Sequence, residues 1–384
     1  MRILIAADIF SPQSGGPATY AVTLANELTK QGVGVAIVSL NPQSDISVVS
    51  CSLYRVSWKN KFRYLQYLWL LFKYAKAADV VYAMGPVNAG LPALIACRLR
   101  RKKFVVKVVG DYAWEQGTQR FRVNDTIDDF QKKKHYFLRV QFLKWLQSFV
   151  AKKADTVIVP SNYLKNMVAG WGVNPAKVQL IFNSVEFKTV MPTVKPNEER
   201  WLVSVGRLVP WKGMVALIEV MPSLLEQFTN LKLKIIGEGP EAGNLRLKIV
   251  SLREIPSQEG KDLRLSDCVE LLGNLPHDKA LSYIGAADVF ILNSGYEGLS
   301  HVILEAMNFG VPILASKVGG NPETLSEGYP GDLFNYNDKN EIKKMISDYL
   351  LANLTERKGL DENFKQQFGF ATMIKRTKEA LEKV

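Results

Sequence analysis

Short apolar runs closed by polar or glycine-containing breaks recur along the whole chain, and each is followed by a stretch with helical spacing. RILIAAD, VGVAIVSL, DVVYAMG, KFVVKVVGD, TVIVPS and QLIFNSVE read as strands of the first half; WLVSVGRL, KLKIIGEG, CVELLGNL, DVFILNS and PILAS read as strands of the second. Strands that alternate with helices imply crossover connections, and crossovers build parallel sheets covered by helices on both faces. The pattern predicts an α/β chain with two doubly wound parallel-sheet domains. A proline- and charge-rich segment, TVMPTVKPNEER at 189–200, interrupts it and reads as a linker. The expected domains span 1–188 and 201–362, with a helical tail over 363–384.

The most informative segment is SGYEGLSHVILEAMNFGVPILA. The strand DVFIL (288–292) leads through a turn at Asn293 to Gly298 into a helix that starts near Leu299 or Ser300, with Val302, Ile303, Ala306 and Met307 on one apolar face. Unpaired first-turn N–H groups and the positive end of the helix dipole make such a start a site for phosphate. Glu297, just before the helix, and Glu305, inside it, can each take two neighbouring hydroxyls, as a sugar presents them. The plain alternative is a loop glutamate near a helix cap and a solvated mid-helix glutamate.

Arg207 at a strand end and Lys212 in the loop after it offer a planar fork and a compact charge, a combination suited to a diphosphate. A solvated turn lysine is the alternative for Lys212. Gly15 and Gly16, between the first strand and its helix, let backbone approach a ligand, or simply make a turn. Gly237, Gly239 and Ala242 after KLKII satisfy the dinucleotide pattern G-x-G-x-x-G/A. A hydride-transfer enzyme is still the weaker reading, because this unit does not open its domain and the following IVSLREIPSQEGKD shows no second strand.

A chain of 384 residues with 47% hydrophobic content can bury two cores of ordinary size. Cys51, Cys97 and Cys268 show no pairing or metal spacing, which suits a reducing cytosol, and MRILIAADIF lacks the pattern of a signal peptide. The charge is divided unevenly. Residues 1–190 carry 26 lysines and arginines against 11 acids, a net of +15, leaving 23 against 26, a net of −3, for the rest. The excess lies in RLRRKK (98–103), in 131–153 and around RYLQYLWLLFKYAK (63–76), interleaved with aromatic residues. That mixture suits an anionic membrane surface better than nucleic acid, and no apolar run is long enough to span a bilayer. The alternative is a set of helices with ordinary solvated faces.

EGLSHVILEAMNFGVPILASKVGGNPE resembles the Glu-x7-Glu motif of retaining glycosyltransferases of the GT-B fold, in the family 4 group, and GRLVPWKG at 206–213 resembles that family's diphosphate-binding loop. SPQSGGPATY, IIGEGPE and the last helix near Phe370 extend the resemblance over nearly the whole chain. It implies two Rossmann-like domains facing a cleft, an amino-terminal acceptor domain, a carboxyl-terminal nucleotide-sugar domain, and a last helix that crosses back to the first. Arg207 and Lys212 then bind the donor diphosphate and stabilise the leaving charge. The Gly15–Gly16 loop closes over donor phosphate and acceptor. Gly237 and Gly239 lie by the donor nucleotide, Glu305 holds its ribose, Glu297 stands beside its sugar, and the amides of Ser300 and His301 meet the distal phosphate. Retention of configuration, with the leaving phosphate helping to deprotonate the acceptor, follows from the same resemblance.

The chain departs from the family at three places. Many members carry a histidine at the end of the fourth strand, where KVVGDYAWE has Gly110 and Asp111. Asp111, with Glu115 nearby, is the expected substitute for binding an acceptor or sugar hydroxyl, although either carboxylate could cap the next helix. The usual Asn-Gly-Val-Asp of the hinge becomes Asn183-Ser184-Val185-Glu186, and His301 stands where a small residue is common. No Asp-x-Asp pair occurs, so transfer without a metal or other cofactor is expected. The sequence thus points to a cytoplasmic glycosyltransferase, peripheral at the inner face of a membrane, moving a hexose-type sugar to a lipid-linked or polysaccharide-type acceptor. A small soluble acceptor, or a nucleotide-sugar epimerase of similar fold, are the alternatives.

Overall fold

The computed structural model describes residues 1–10, 16–57, 62–187, 190–252, 264–325, 329, 331–352 and 359–384. It divides into two compact units, Met1–Asn183 with Phe370–Val384, and Ser184–Gly369.

The first unit opens with β1 (Arg2–Ala7), α1 (Gly16–Lys30), β2 (Gly34–Ser39), β3 (Ser52–Arg55) and α2 (Arg63–Ala75). It continues through β4 (Val80–Ala83), α3 (Gly90–Arg100), β5 (Lys103–Lys107), α4 (Tyr112–Arg120), α5 (Ile127–Lys132) and α6 (Leu138–Lys153). β6 (Thr156–Val159), α7 (Asn162–Gly170) and β7 (Val178–Leu180) complete its sheet, which is parallel in the order β3-β2-β1-β4-β5-β6-β7. Central strands such as β4 are buried at every residue, as strands covered on both faces must be.

The second unit begins its sheet with β8 (Arg200–Val205), α8 (Met214–Leu225), β9 (Leu231–Ile236), α9 (Ala242–Ser251), α10 (Leu265–Cys268) and β10 (Val269–Gly273). α11 (His277–Ala286), β11 (Val289–Leu292), α12 (His301–Asn308), β12 (Ile313–Ser316), α13 (Asn321–Thr324), β13 (Gly331–Phe334), α14 (Lys339–Leu351) and α15 (Glu362–Phe368) follow, and the sheet order is β10-β9-β8-β11-β12-β13. Its core gathers Leu217, Ile218, Met221 and Leu224 of α8 against Leu233, Ile235, Ile291 and Leu314 of the sheet. Each such side chain contributes about 1.5–3 kcal/mol by leaving water.

The last helix, α16 (Phe370–Glu382), joins the first unit through Met373, Ile374 and Leu381, and its Thr377 lies 3.2 Å from the Tyr20 hydroxyl of α1. The units divide at Asn183/Ser184, ahead of the segment read as a linker. That segment is held on the second unit: the Thr193 amide donates to the Ser282 carbonyl at 2.9 Å, and Lys195 pairs with Asp288. β3 and β13 escaped the strand pattern. Both are edge strands of four residues with partly exposed faces, which removes the continuous apolar run that marks a central strand.

Candidate active site

In the second unit the order of connection reverses between β8 and β11. At such a point the loops leaving the carboxyl ends of two adjacent strands diverge and leave a crevice where ligands bind. Arg207 and Lys212 come from the loop after β8, and Glu297 from the loop after β11.

Asn293, fully buried at the end of β11, joins the two loops. Its side-chain amide donates to the Gly213 carbonyl at 2.9 Å and to Asn337 Oδ1 at 2.8 Å, and its Oδ1 accepts from the Asn337 amide at 3.0 Å. Lys212 closes a short turn over Pro210–Lys212, and its Nζ donates to Glu297 Oε1 in an ion pair whose side chains are only 15% and 13% exposed. Ser294 donates to the same oxygen at 2.7 Å, and the Gly320 amide donates to the Glu297 carbonyl at 3.0 Å. Arg207 is exposed on the same loop.

The two glycines of GEGPEA have a definite packing role. Gly237 has φ +137°, and a Cβ there would stand 2.0 Å from the Gly206 carbonyl oxygen; at Gly239 it would stand 2.2 Å from that of Leu208. Only glycine lets the loop after β9 lie on the backbone that carries Arg207. The Leu208 amide donates to the Glu238 carbonyl across this contact at 2.9 Å. The residues 253–263, which contain most of the segment that weighed against a dinucleotide unit, lie outside the described residues.

α12 starts at His301, and its N-cap Ser300 is buried but makes no side-chain cap hydrogen bond. Its inward face is Ile303, Leu304, Ala306 and Met307, while Val302, expected on that face, is half-buried. Leu304 replaces it because it stands one turn before Met307 on the packed side. Glu305, 15% exposed, meets His277 at the start of α11, with Oε1 2.9 Å from Nε2. The His301 Nδ1 lies 3.2 Å from the Ser184 carbonyl, so its ring is turned to the start of the unit.

In the first unit Gly15 lies outside the described residues and Gly16 opens α1. Asp111 is fully buried as the N-cap of α4. Its Oδ1 accepts from the Trp114 amide at 2.8 Å and its Oδ2 from Gln131 Nε2 at 2.7 Å. Burial pushes this carboxyl above its ordinary range, opposed by those donors, by Gln147 and by the charge of Lys144. The geometry therefore realises the capping alternative for Asp111. Glu115 is half-buried in the first turn of the same helix.

A cluster that the sequence reading did not single out lies at the strand ends where this sheet reverses, between β1 and β4. Asp8 follows β1, Asn88 precedes α3 and Tyr112 opens α4. Asn88 Nδ2 is 3.2 Å from both Asp8 Oδ2 and the Tyr112 hydroxyl, and the Ile9 amide donates to Asp8 Oδ1 at 3.1 Å. Burial pushes the Asp8 carboxyl up, against the hydrogen bonds from Asn88 and the backbone. These residues are up to 104 positions apart, as are His277 and Glu305 at 28, so no local spacing could have announced either group.

In each unit polar side chains gather at the carboxyl ends of the strands where the sheet order reverses, the place where parallel α/β sheets bind ligands. A model described as Glycosyltransferase Family 4 matches residues 14–188, and one described as Glycosyl transferases group 1 matches 188–367. The chain belongs to the family 4 glycosyltransferases and has the GT-B fold. A phosphatidylinositol N-acetylglucosaminyltransferase component from Arabidopsis thaliana is 26% identical over 398 residues, covering 98% of this chain and 80% of that protein. Anabaena HepE in complex with UDP-glucose superposes with a TM-score of 0.76 at 18% identity, over 100% of each chain. Sucrose-phosphate synthase of Thermosynechococcus elongatus gives 0.75 at 20% identity, over 100% of this chain and 99% of that one. At these identities the structural likeness is one of fold.

Proposed function

We propose that this glycosyltransferase moves a hexose-type sugar, with retention, from a nucleoside diphosphate to a lipid-linked or polysaccharide-type acceptor at the cytoplasmic face of a membrane. The observation that carries the donor half is the Lys212–Glu297 pair, set beside Arg207 and the start of α12 at the sheet's reversal point. In this reading Arg207, Lys212 and the amides of Ser300 and His301 take the diphosphate, Glu305 the ribose and Glu297 the sugar. Gly237 and Gly239 serve the donor by holding the Arg207 loop. Preorganised cations and N–H dipoles stabilise the departing charge, and no metal is required. The bond from the anomeric carbon to the diphosphate breaks, the acceptor oxygen bonds that carbon on the same face, and its proton passes to a diphosphate oxygen. Retention rests on the family resemblance.

For the acceptor, Asp8 with Asn88 and Tyr112 is the stronger candidate in the first unit, because Asp111 has both carboxylate oxygens engaged. Asp111 and Glu115 then position α4, and Gly15 and Gly16 contribute backbone. The lipid-linked acceptor is supported by the similar protein whose name carries phosphatidylinositol.

UDP is the first donor probe, because similar folds bind it. A ligand that binds the native chain must raise its apparent stability. UDP or a UDP-sugar is expected to raise the Tm of the native chain, and to leave Glu305→Ala and Arg207→Ala unmoved. If no nucleoside diphosphate in a panel stabilises the native chain, the donor assignment fails. Asp8→Asn is expected to keep the UDP shift and to lower transfer at least about tenfold, in line with loss of a positioned carboxylate. Full transfer by that variant would remove Asp8 from the acceptor site.

A further inference from the structure

Three segments far apart in sequence form one helical layer on the first unit. Arg100 of α3 stacks on Phe72 of α2, with its guanidinium carbon 3.7 Å from the ring centroid, and its Nε donates to the Phe72 carbonyl at 3.0 Å. Arg98 of α3 donates to the carbonyl of Lys153, at the end of α6, at 3.1 Å. α2, α3 and α6 are thereby neighbours.

Each helix buries an apolar face, as a helix covering a sheet must; Tyr67, Leu70 and Leu71 do so for α2. The opposite face of such a helix is ordinarily polar. Here it carries Leu65, Trp69, Leu99, Leu138, Phe142 and Trp145, all between 56% and 81% exposed. The Trp145 ring stacks on Phe149 with centroids 5.2 Å apart, and the Lys73 ammonium lies 5.1 Å from the Trp69 centroid. The three helices contain eight lysines and arginines and no aspartate or glutamate.

The charge narrows what can cover such a face. A second copy would bring two acid-free, cationic faces together, and like charges in contact are unfavourable. Nucleic acid would use the cations and the rings, but Leu65, Leu99 and Leu138 offer it neither stacking nor hydrogen bonds. An anionic bilayer uses both: leucines and aromatic rings enter the acyl boundary while flanking lysines and arginines meet lipid phosphates. We infer that the α2–α3–α6 layer is the surface by which this glycosyltransferase docks on an anionic lipid bilayer. This rests on the reading of the acceptor as membrane-borne, and it orients the first unit with that layer towards the lipid.

Vesicle flotation of the full chain tests it, with phosphatidylcholine vesicles and with vesicles that also contain phosphatidylglycerol. Trp69→Glu combined with Trp145→Glu removes two anchors and adds two repelling charges. Leu247→Glu combined with Val250→Glu, on α9 of the second unit, is the matched control, since these residues are 71% and 76% exposed. The native chain and the control are expected to float with anionic vesicles and not with neutral ones, and raised salt should weaken the association. The tryptophan variant is expected to lose at least about tenfold in partition while keeping the Tm shift with UDP, which shows that it is folded. Equal flotation of the tryptophan variant and native chain overturns the surface and leaves a membrane-borne acceptor standing. Failure of the native chain to float overturns the docking surface and the membrane reading together, while the UDP shift judges the transferase reading separately. Tight binding of a generic RNA that the tryptophan variant loses, without flotation, also overturns it.

Discussion

Lys212→Ala is expected to lower kcat by about 10²–10³-fold, the range seen when one preorganised group that stabilises developing charge is removed. The side chain meets two demands. In the free protein its ammonium neutralises Glu297, in a pair that is mostly buried. In the proposed donor reading, the same charge faces the diphosphate as the sugar departs. Removal leaves Glu297 with Ser294 as a remaining donor, and an uncompensated buried carboxylate costs up to about 3–5 kcal/mol. The variant should therefore also lose stability. Glu297→Gln separates the effects, because it relieves the unpaired carboxylate while leaving Lys212 in place. Steady-state turnover and chemical denaturation of Lys212→Ala, Glu297→Gln and the double variant form a cycle that apportions the terms. If Lys212→Ala loses stability but keeps full kcat, the lysine is a structural partner of Glu297 and nothing more.

Lys107→Met is expected to stabilise the protein near neutral pH and to flatten its dependence on pH. Lys107 sits on β5, 3% exposed, and among the described residues its Nζ has no hydrogen-bond partner. It lies 3.5 Å from the centroid of the Tyr20 ring. Burial lowers its pKa from the ordinary 10.5 to about 7. Between those values the unfolded chain holds a proton that the native chain has lost, so native stability rises with pH, at up to about 1.4 kcal/mol per unit. Below about 7 both states are charged and the full penalty is present. The neighbouring phenols of Tyr20 and Tyr82 are pushed above their ordinary range by burial and do not titrate in this window. The Cys97 thiol, pushed up to about 12 by burial, acts in the opposite direction above pH 9, so the clean comparison lies below that. Methionine keeps the approximate volume without the charge. Denaturant midpoints of the two proteins should diverge on going from about pH 9 to pH 7, with the native chain falling and the variant level. Parallel curves would show that Lys107 keeps its proton in the native state.

The two strands that the sequence pattern missed, β3 and β13, show what periodicity can carry. β11 and β4 were legible because strands covered on both faces need unbroken apolar runs. β3 and β13 were not, because SLYR and GDLF are short, polar at one end and partly exposed, and so carry no apolar run. The capping role of Asp111 was one of two readings, and neither could be preferred from KVVGDYAWE alone: the choice depended on Gln131 and Gln147, which arrive from α5 and α6.

The chain alone determined the class of fold, the two sheets, the loop that carries Arg207 and Lys212, and the helix start beside Glu297, because local spacing governs strand, turn and helix. Tertiary structure decided which side chains meet: Lys212 with Glu297 across 85 positions, His277 with Glu305, Asp8 with Asn88 and Tyr112, and the basic helices α2, α3 and α6 as one layer. Such meetings depend on which strands lie side by side and where the sheet order reverses, and hydrophobic periodicity is the same for every order of the same strands.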